Sequence, residues 1–226
     1  TALHPKVLLQ KEEQLREELL PKLLELVQLC SEAKITISFD AEESYRQDIY
    51  LKILDEIISH PSLKDYHGAG FVIQAYQKRT YHIIDYIVEL AKKTKKKIPV
   101  RLVKGAYWDT EIKFAQEFGL EGYPVFTQKV YTDISYIACA KKLIENAKYI
   151  YPQFATHNAY TIAVIKQLVG KIDFEFQKLQ GMGNALHAQL VKEGFKSRIY
   201  APVGRYEDLL AYLMRRLLEN GAKTSF

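Results

Sequence analysis

The sequence predicts an α/β fold in which parallel strands alternate with helices, and three observations carry that reading. Six short apolar segments, near Ile35, Phe71, Val100, Phe154, Phe174 and Ile199, are each followed by residues at helical spacing. That order builds a sheet from strand–helix units with right-handed crossovers. The apolar runs read as buried on both faces, which an antiparallel sheet with one wet face would not give. No GxGxxG or GxxxxGK[ST] turn is present, and an open doubly wound sheet usually carries one, so a (βα)8 barrel is the better architecture. Such a barrel has eight units in roughly 250 residues. Six are visible here, and Thr1-Ala2-Leu3-His4-Pro5 reads as the end of a strand entering a loop, so two strands are expected upstream.

Taken in order, residues 11–30 place Leu15, Leu19, Leu23 and Leu26 at helical spacing, with Pro21 expected to kink or restart the helix. Residues 34–40 alternate with period two, as a strand should. A helix over 44–59 carries Ile49, Ile53, Leu54 and Ile57 on one face, and Gly68 and Gly70 precede a strand over 71–76. A helix over 80–94, a strand over 99–104 and a helix over 110–118 follow, then an irregular aromatic stretch over 120–131. Further helices are expected over 133–147, 159–169, 184–193 and 206–220, with strands over 151–156, 173–179 and 197–201.

With 48% hydrophobic and 26% charged residues, the 226 residues can bury a sizeable core as one domain, taken as 1–226. The longest apolar runs fall far short of the ~18 residues of a spanning helix, and Thr1 opens no charged, apolar leader, so a cytoplasmic location is expected. Cys30 and Cys139 have no CxxC or CxxH neighbour and read as buried free thiols. The net charge of +5 permits an anionic partner without demanding one. Lys92, Lys93, Lys95, Lys96 and Lys97 lack interleaved aromatics and read as a wet helix end rather than a nucleic-acid surface.

A barrel builds its site at the carboxyl ends of its strands. Those ends carry Asp40 with Glu42 and Glu43, Gln74, Arg101 with Lys104, Thr156-His157-Asn158, Gln177 with Leu179, and Arg198 with Tyr200. The stretch from Arg101 to Asp109 is the densest. Gly105 lets the backbone turn or approach a ligand, Arg101 and Lys104 can hold an anion, and Tyr107 and Trp108 can wall an aromatic ring. Plainer roles stand beside these: Asp40 can cap the helix near 44, His157 and Asn158 the helix from 159, and Lys104 can be a solvated loop lysine. A metal-dependent barrel hydrolase or aldolase using Asp40, His157 and Glu175 is a competing function, although no HxH or HExxH spacing occurs and no metal site is assigned. A non-enzymatic anion-binding module would rest on the lysine run and net charge alone.

Nine ordered segments resemble the flavin-dependent proline dehydrogenases, in particular the domain found in bacterial bifunctional proline-utilisation proteins. They are Asp40–Glu43, Gln74–Arg79, Arg101–Trp108, Tyr123–Thr127, Phe154–Asn158, Phe174–Gln177, Gly181–Gly183, Ile199–Gly204 and Arg215–Ala222. The resemblance covers Thr1 to Phe226 and implies a distorted, TIM-like (βα)8 barrel whose last helix caps the mouth. It implies FAD as cofactor and oxidation of L-proline to Δ1-pyrroline-5-carboxylate. Electrons would pass to a membrane quinone, with the protein peripheral at the inner membrane during turnover and a pyrroline-5-carboxylate dehydrogenase fused or in partnership. No nucleic acid is expected to bind through this domain.

By motif, the resemblance assigns Arg101, Asp40 and Tyr200 to catalysis. Arg215 and Arg216 would bind the proline carboxylate, with Tyr200, Tyr212, Leu179, Ala106 and Tyr107 around the ring. The flavin set is Gln74, Arg101, Val103, Lys104, Gly105, Ala106, Trp108, Thr127, Thr156, His157, Asn158, Gln177 and Glu219. Two departures limit it: a family lysine that helps bind the carboxylate would precede Thr1, and the stretch 191–197 is shorter than the family's connection, so Arg198 receives no flavin role.

Overall fold

Six parallel strands lie side by side in strict chain order: β1 (Ile37–Phe39), β2 (Ala69–Gln74), β3 (Ile98–Val103), β4 (Ile150–Ala155), β5 (Glu175–Leu179) and β6 (Ser197–Tyr200). The computed structural model describes residues 12–207, 209–210, 212–214 and 216, so Thr1–Pro5 lies outside the described residues. Consecutive order decides the architecture. A doubly wound sheet reverses its order at a switch point and takes helices on both faces. Here every crossover moves the chain one strand further the same way, so right-handed connections put the helices on one face, and the sheet curls into a half-barrel.

The helices are α1 (Glu12–Glu32), α2 (Gln47–Ser59), α3 (Thr80–Thr94), α4 (Trp108–Glu117), α5 (Lys129–Glu145), α6 (Ala159–Leu168) and α7 (Asn184–Lys192), with 3₁₀ turns at Ser44–Arg46 and Pro61–Leu63. Beyond β6, Tyr206, Glu207, Leu209, Leu210, Tyr212, Leu213, Met214 and Arg216 are also helical.

The two faces of the sheet do different work, because successive strand side chains point to opposite sides. Phe71, Ile73, Val100, Leu102, Phe154 and Phe176 are fully buried in one core with Leu54, Ile57, Ile84, Ile87, Leu143 and Ile165 of the helices. At roughly 1.5–3 kcal/mol per buried large apolar side chain, this layer supplies most of the drive to fold. The intervening residues, among them Val72, Gln74, Arg101, Val103, Gln177 and Leu179, face the concave side.

Three expectations change. Pro21 lies inside a continuous α1, so it does not start a fresh helix. Burial of Leu19, Leu23 and Val27 on the same helix offsets the lost hydrogen bond. Within the lysine run, Lys96 is not wet: it is buried, and its ammonium donates to the carbonyls of Ile58 and Leu63, each at 2.6 Å, stapling α2 and the turn beyond it to the end of α3. The first strand shrinks to three residues, because Ile35 is exposed and only Ile37–Phe39 find partners on β2.

Cys30 and Cys139 are buried free thiols, as expected. Among the described residues no helix is long and apolar enough to cross a membrane.

Candidate active site

The carboxyl ends of the strands converge on a cavity of about 700 Å³, within the range of ligand-binding pockets. Arg101, from β3, is its central cation. Its Nη2 donates to Asp40 Oδ1 at 2.6 Å, and its guanidinium lies 5.1 Å from the centre of the Tyr200 ring. Asp40 therefore does not cap the following helix: Glu43 occupies the N-cap position, and no side chain bonds there. Burial holds the Tyr200 phenol above its ordinary pKa although Arg101 opposes that, so the ring stays neutral. Tyr212 is raised by burial too, and Arg216 lies 5.0 Å from its ring centre. Tyr212, Arg216 and Leu209 line the same cavity as Asp40, Arg101 and Tyr200.

The turn after β3 forms a second wall through Lys104, Gly105, Ala106 and Tyr107. Gly105 sits at φ +139°, and a Cβ there would meet the ring of Tyr76 at 2.5 Å. Only glycine allows this approach. Tyr76 is itself fixed: its hydroxyl donates to Glu111 at 3.5 Å, and Glu111 accepts the backbone N–H and hydroxyl of Ser44 at 2.5 and 2.7 Å. Burial pushes the Glu111 carboxyl up in spite of the Ser44 hydrogen bonds.

Gln74 bridges two loops, its Nε2 donating to Glu42 O at 2.7 Å and its Oε1 accepting from Ala106 N at 3.4 Å. Lys104 is no solvated lysine. It pairs with Asp133, which Lys129 also contacts at 3.0 Å. These pairs hold Asp133 below its usual pKa against the effect of burial.

Thr156, His157 and Asn158 line the cavity after β4. Asn158 does cap α6, accepting from Thr161 N at 2.9 Å, so its plainer role holds alongside its place in the wall. Behind them His187 is buried, with Nε2 donating to Thr156 O at 2.9 Å and Nδ1 2.8 Å from the Ser197 hydroxyl. Since a carbonyl only accepts, the proton sits on Nε2, and Ser197 donates to Nδ1.

Val103, Gln177 and Leu179 complete the expected lining. Trp108 and Thr127 are not part of it. The Trp108 indole donates to Phe126 O at 2.9 Å, and Thr127 is exposed on the irregular stretch. Arg215 and Glu219 lie outside the described residues. Lys129, Lys178 and Met182 of the lining, and His187 and Glu111 behind it, are not among the residues expected from sequence; Lys178 sits on β5 between Gln177 and Leu179, and the other four stand at no strand tip.

The metal-dependent alternative loses its third ligand. Glu175 accepts from Arg198 Nε and Nη2 at 2.8 and 2.9 Å and from Gln153 and Gln177, and does not line the cavity. Among the described residues no group of three or more His, Cys, Asp or Glu is placed to hold a metal.

A family profile described as Proline dehydrogenase matches residues 2–226. The chain belongs to the proline dehydrogenase family. It is 53% identical over its full length to the Bifunctional protein PutA of Klebsiella aerogenes and spans 18% of that protein. A crystal structure of a Bradyrhizobium japonicum Proline Utilization A mutant superposes with a TM-score of 0.95 at 51% identity, covering 99% of this chain and 23% of that one. The Bdellovibrio bacteriovorus protein inactivated by N-propargylglycine matches with a TM-score of 0.88 at 37% identity, over 92% of this chain and 22% of that one. The cavity therefore lies in a fold shared with proteins several times longer.

Proposed function

We propose that this chain forms a distorted (βα)8 barrel domain, completed by two strands outside the six described, that oxidises L-proline to Δ1-pyrroline-5-carboxylate with FAD. One observation carries the reading: Asp40, Arg101, Tyr200, Tyr212 and Arg216, drawn from four separate stretches of chain, line a single cavity. Membership of the proline dehydrogenase family supports it.

The residues present suit a flavin. The buried Nε of Arg101 and Oε1 of Gln177 have no partner among the described residues, and buried polar atoms are ordinarily bonded. A ligand with both donors and acceptors satisfies them. Gly105 lines the same cavity, with the Tyr76 ring packed where a Cβ would stand. Lys104, His157, Asn158 and Lys129 suit phosphates, near the start of α6 where backbone N–H groups favour anions. Gln74, Val103, Ala106 and Thr156 also line the cavity, and Trp108 and Thr127 remain in the flavin set that the family resemblance implies.

Bound FAD supplies the acceptor for the hydride leaving the proline carbon next to nitrogen. The protein contributes geometry. Arg215 and Arg216 clamp the carboxylate in two charge-assisted contacts. Tyr200, Tyr212, Leu179, Ala106 and Tyr107 fix the ring face, and Asp40 steadies Arg101 against Tyr200. Arg101 would supply a fixed positive charge to stabilise the negative charge of a reduced flavin held in the cavity. The amine must be neutral before hydride departs, so activity falls at low pH. Electrons then pass to a membrane quinone, with the protein cytoplasmic and peripheral at the membrane, and the product suits a fused or partner pyrroline-5-carboxylate dehydrogenase.

Purified protein is expected to show flavin absorption that bleaches anaerobically with proline and irreversibly with N-propargylglycine. Arg215→Met and Arg216→Met each remove a charged hydrogen bond of about 1.5–3 kcal/mol, raising KM for proline about 10- to 100-fold while the protein stays yellow. A colourless wild-type protein, or an unchanged KM in both variants, refutes the reading.

A further inference from the structure

Below the cavity, the inner face of β4, β5 and β6 carries a polar cluster that an ordinary barrel core would fill with aliphatic side chains. Glu175 is its hub and is 3% exposed. Its Oε1 lies 2.9 Å from Gln153 Nε2, 2.6 Å from Gln177 Nε2 and 2.8 Å from Arg198 Nε. Its Oε2 takes Arg198 Nη2 at 2.9 Å and the Tyr151 hydroxyl at 3.5 Å. Burial pushes the Glu175 carboxyl up, but the Arg198 and Gln177 hydrogen bonds outweigh it and hold the group ionised, below its usual pKa.

An ionised carboxylate only accepts, so Gln177 must turn its NH₂ toward Glu175. That fixes which end of the amide is which, a choice that side-chain shape alone leaves open. The Gln177 carbonyl oxygen is then buried with no partner among the described residues, in a residue 3% exposed that lines the cavity.

We infer that Glu175, an ionised carboxylate paired with the Arg198 guanidinium, is a positioning residue that locks Gln177 with its oxygen toward the cavity, so that the site offers a buried acceptor to an N–H or O–H donor of the bound cofactor. This rests on the flavin reading above and deepens it: the site selects the polarity of a hydrogen bond as well as a shape. Glu175 touches neither cofactor nor substrate and acts only through Gln177.

The test is a double-mutant cycle on the FAD dissociation constant, read by quenching of flavin fluorescence, with circular dichroism melting to confirm folding. Glu175→Gln frees the Gln177 amide to rotate, and Gln177→Leu removes the acceptor at nearly constant volume. Each is expected to weaken FAD binding about tenfold, the size of one buried hydrogen bond. The double variant should match either single one, because both break the same contact. Should Glu175→Gln not fold, Glu175→Asp keeps the charge opposite Arg198 while withdrawing its oxygens from Gln177, and the same cycle is run with it. A wild-type protein that binds FAD while the Glu175 variant binds equally well, or losses that multiply in the double variant, overturns the inference alone. A wild-type protein that takes up no FAD overturns the proposed function and the inference with it.

Discussion

Gly105→Ala is the sharpest test of how the cavity wall is built, because two separate penalties meet at that position. The first is conformational. At φ +139° an L-residue sits in a region reserved almost wholly for glycine, costing about 1–3 kcal/mol. The second is steric. The new methyl would lie 2.5 Å from two ring carbons of Tyr76, which is 2% exposed and tied to Glu111 and through it to Ser44, so it has nowhere to retreat. Overpacking of this kind costs about 1–3 kcal/mol more.

The sum is about 2–6 kcal/mol, and at roughly 3 °C per kcal/mol for a chain this long the midpoint corresponds to a Tm loss of about 12 °C. Gly119→Ala is the control. Its φ is +58° and nothing lies within 4 Å of its Cβ position, so only the left-handed cost of about 1–2 kcal/mol applies, or about 5 °C. The assay is thermal melting of both variants by circular dichroism, with flavin content measured alongside. Gly105→Ala should also lose flavin, because the turn that moves is the wall itself, whereas Gly119→Ala should not. Equal Tm losses in the two variants would show that Tyr76 yields freely and would refute the packing argument.

Two further predictions concern groups behind the cavity. Lys96→Met leaves the carbonyls of Ile58 and Leu63 without their shared donor; relief of the buried ammonium offsets part of this, for a net loss of about 1–3 kcal/mol, and a melting temperature within 1 °C of wild type would show that the staple contributes nothing. His187 is held below its usual pKa first by burial and also by nearby Lys178, despite its bond to Thr156. A depressed histidine contributes stability that is present above the unfolded pKa near 6.5 and is lost as pH falls through the folded value. Melting temperature should therefore drop more steeply from pH 7 to 5 in wild type than in His187→Gln, which does not titrate; parallel curves would remove His187 from the account.

The helices were legible because their apolar spacing is local. The helix expected over 80–94 is found at Thr80–Thr94, and the strands shift by one to three residues at most of their ends. Pro21 misled, because its cost is intrinsic to the residue, whereas the burial that offsets it comes from the partner helix. Lys96 misled for the same reason: its neighbours in sequence are wet, and its two acceptors lie 38 and 33 residues away.

Sequence by itself determined the alternation of strands and helices, the parallel arrangement and the polar tips, since each is written in periodicities of two to four residues. Tertiary structure alone decided what those tips do. Arg101 meets Asp40 across 61 positions, Ser44 meets Glu111 across 67, and Lys104 meets Asp133 across 29. Only once the sheet curls are these groups brought close enough to bond each other, and two of the buried polar atoms without a partner among the described residues, Arg101 Nε and Gln177 Oε1, belong to residues that line the cavity.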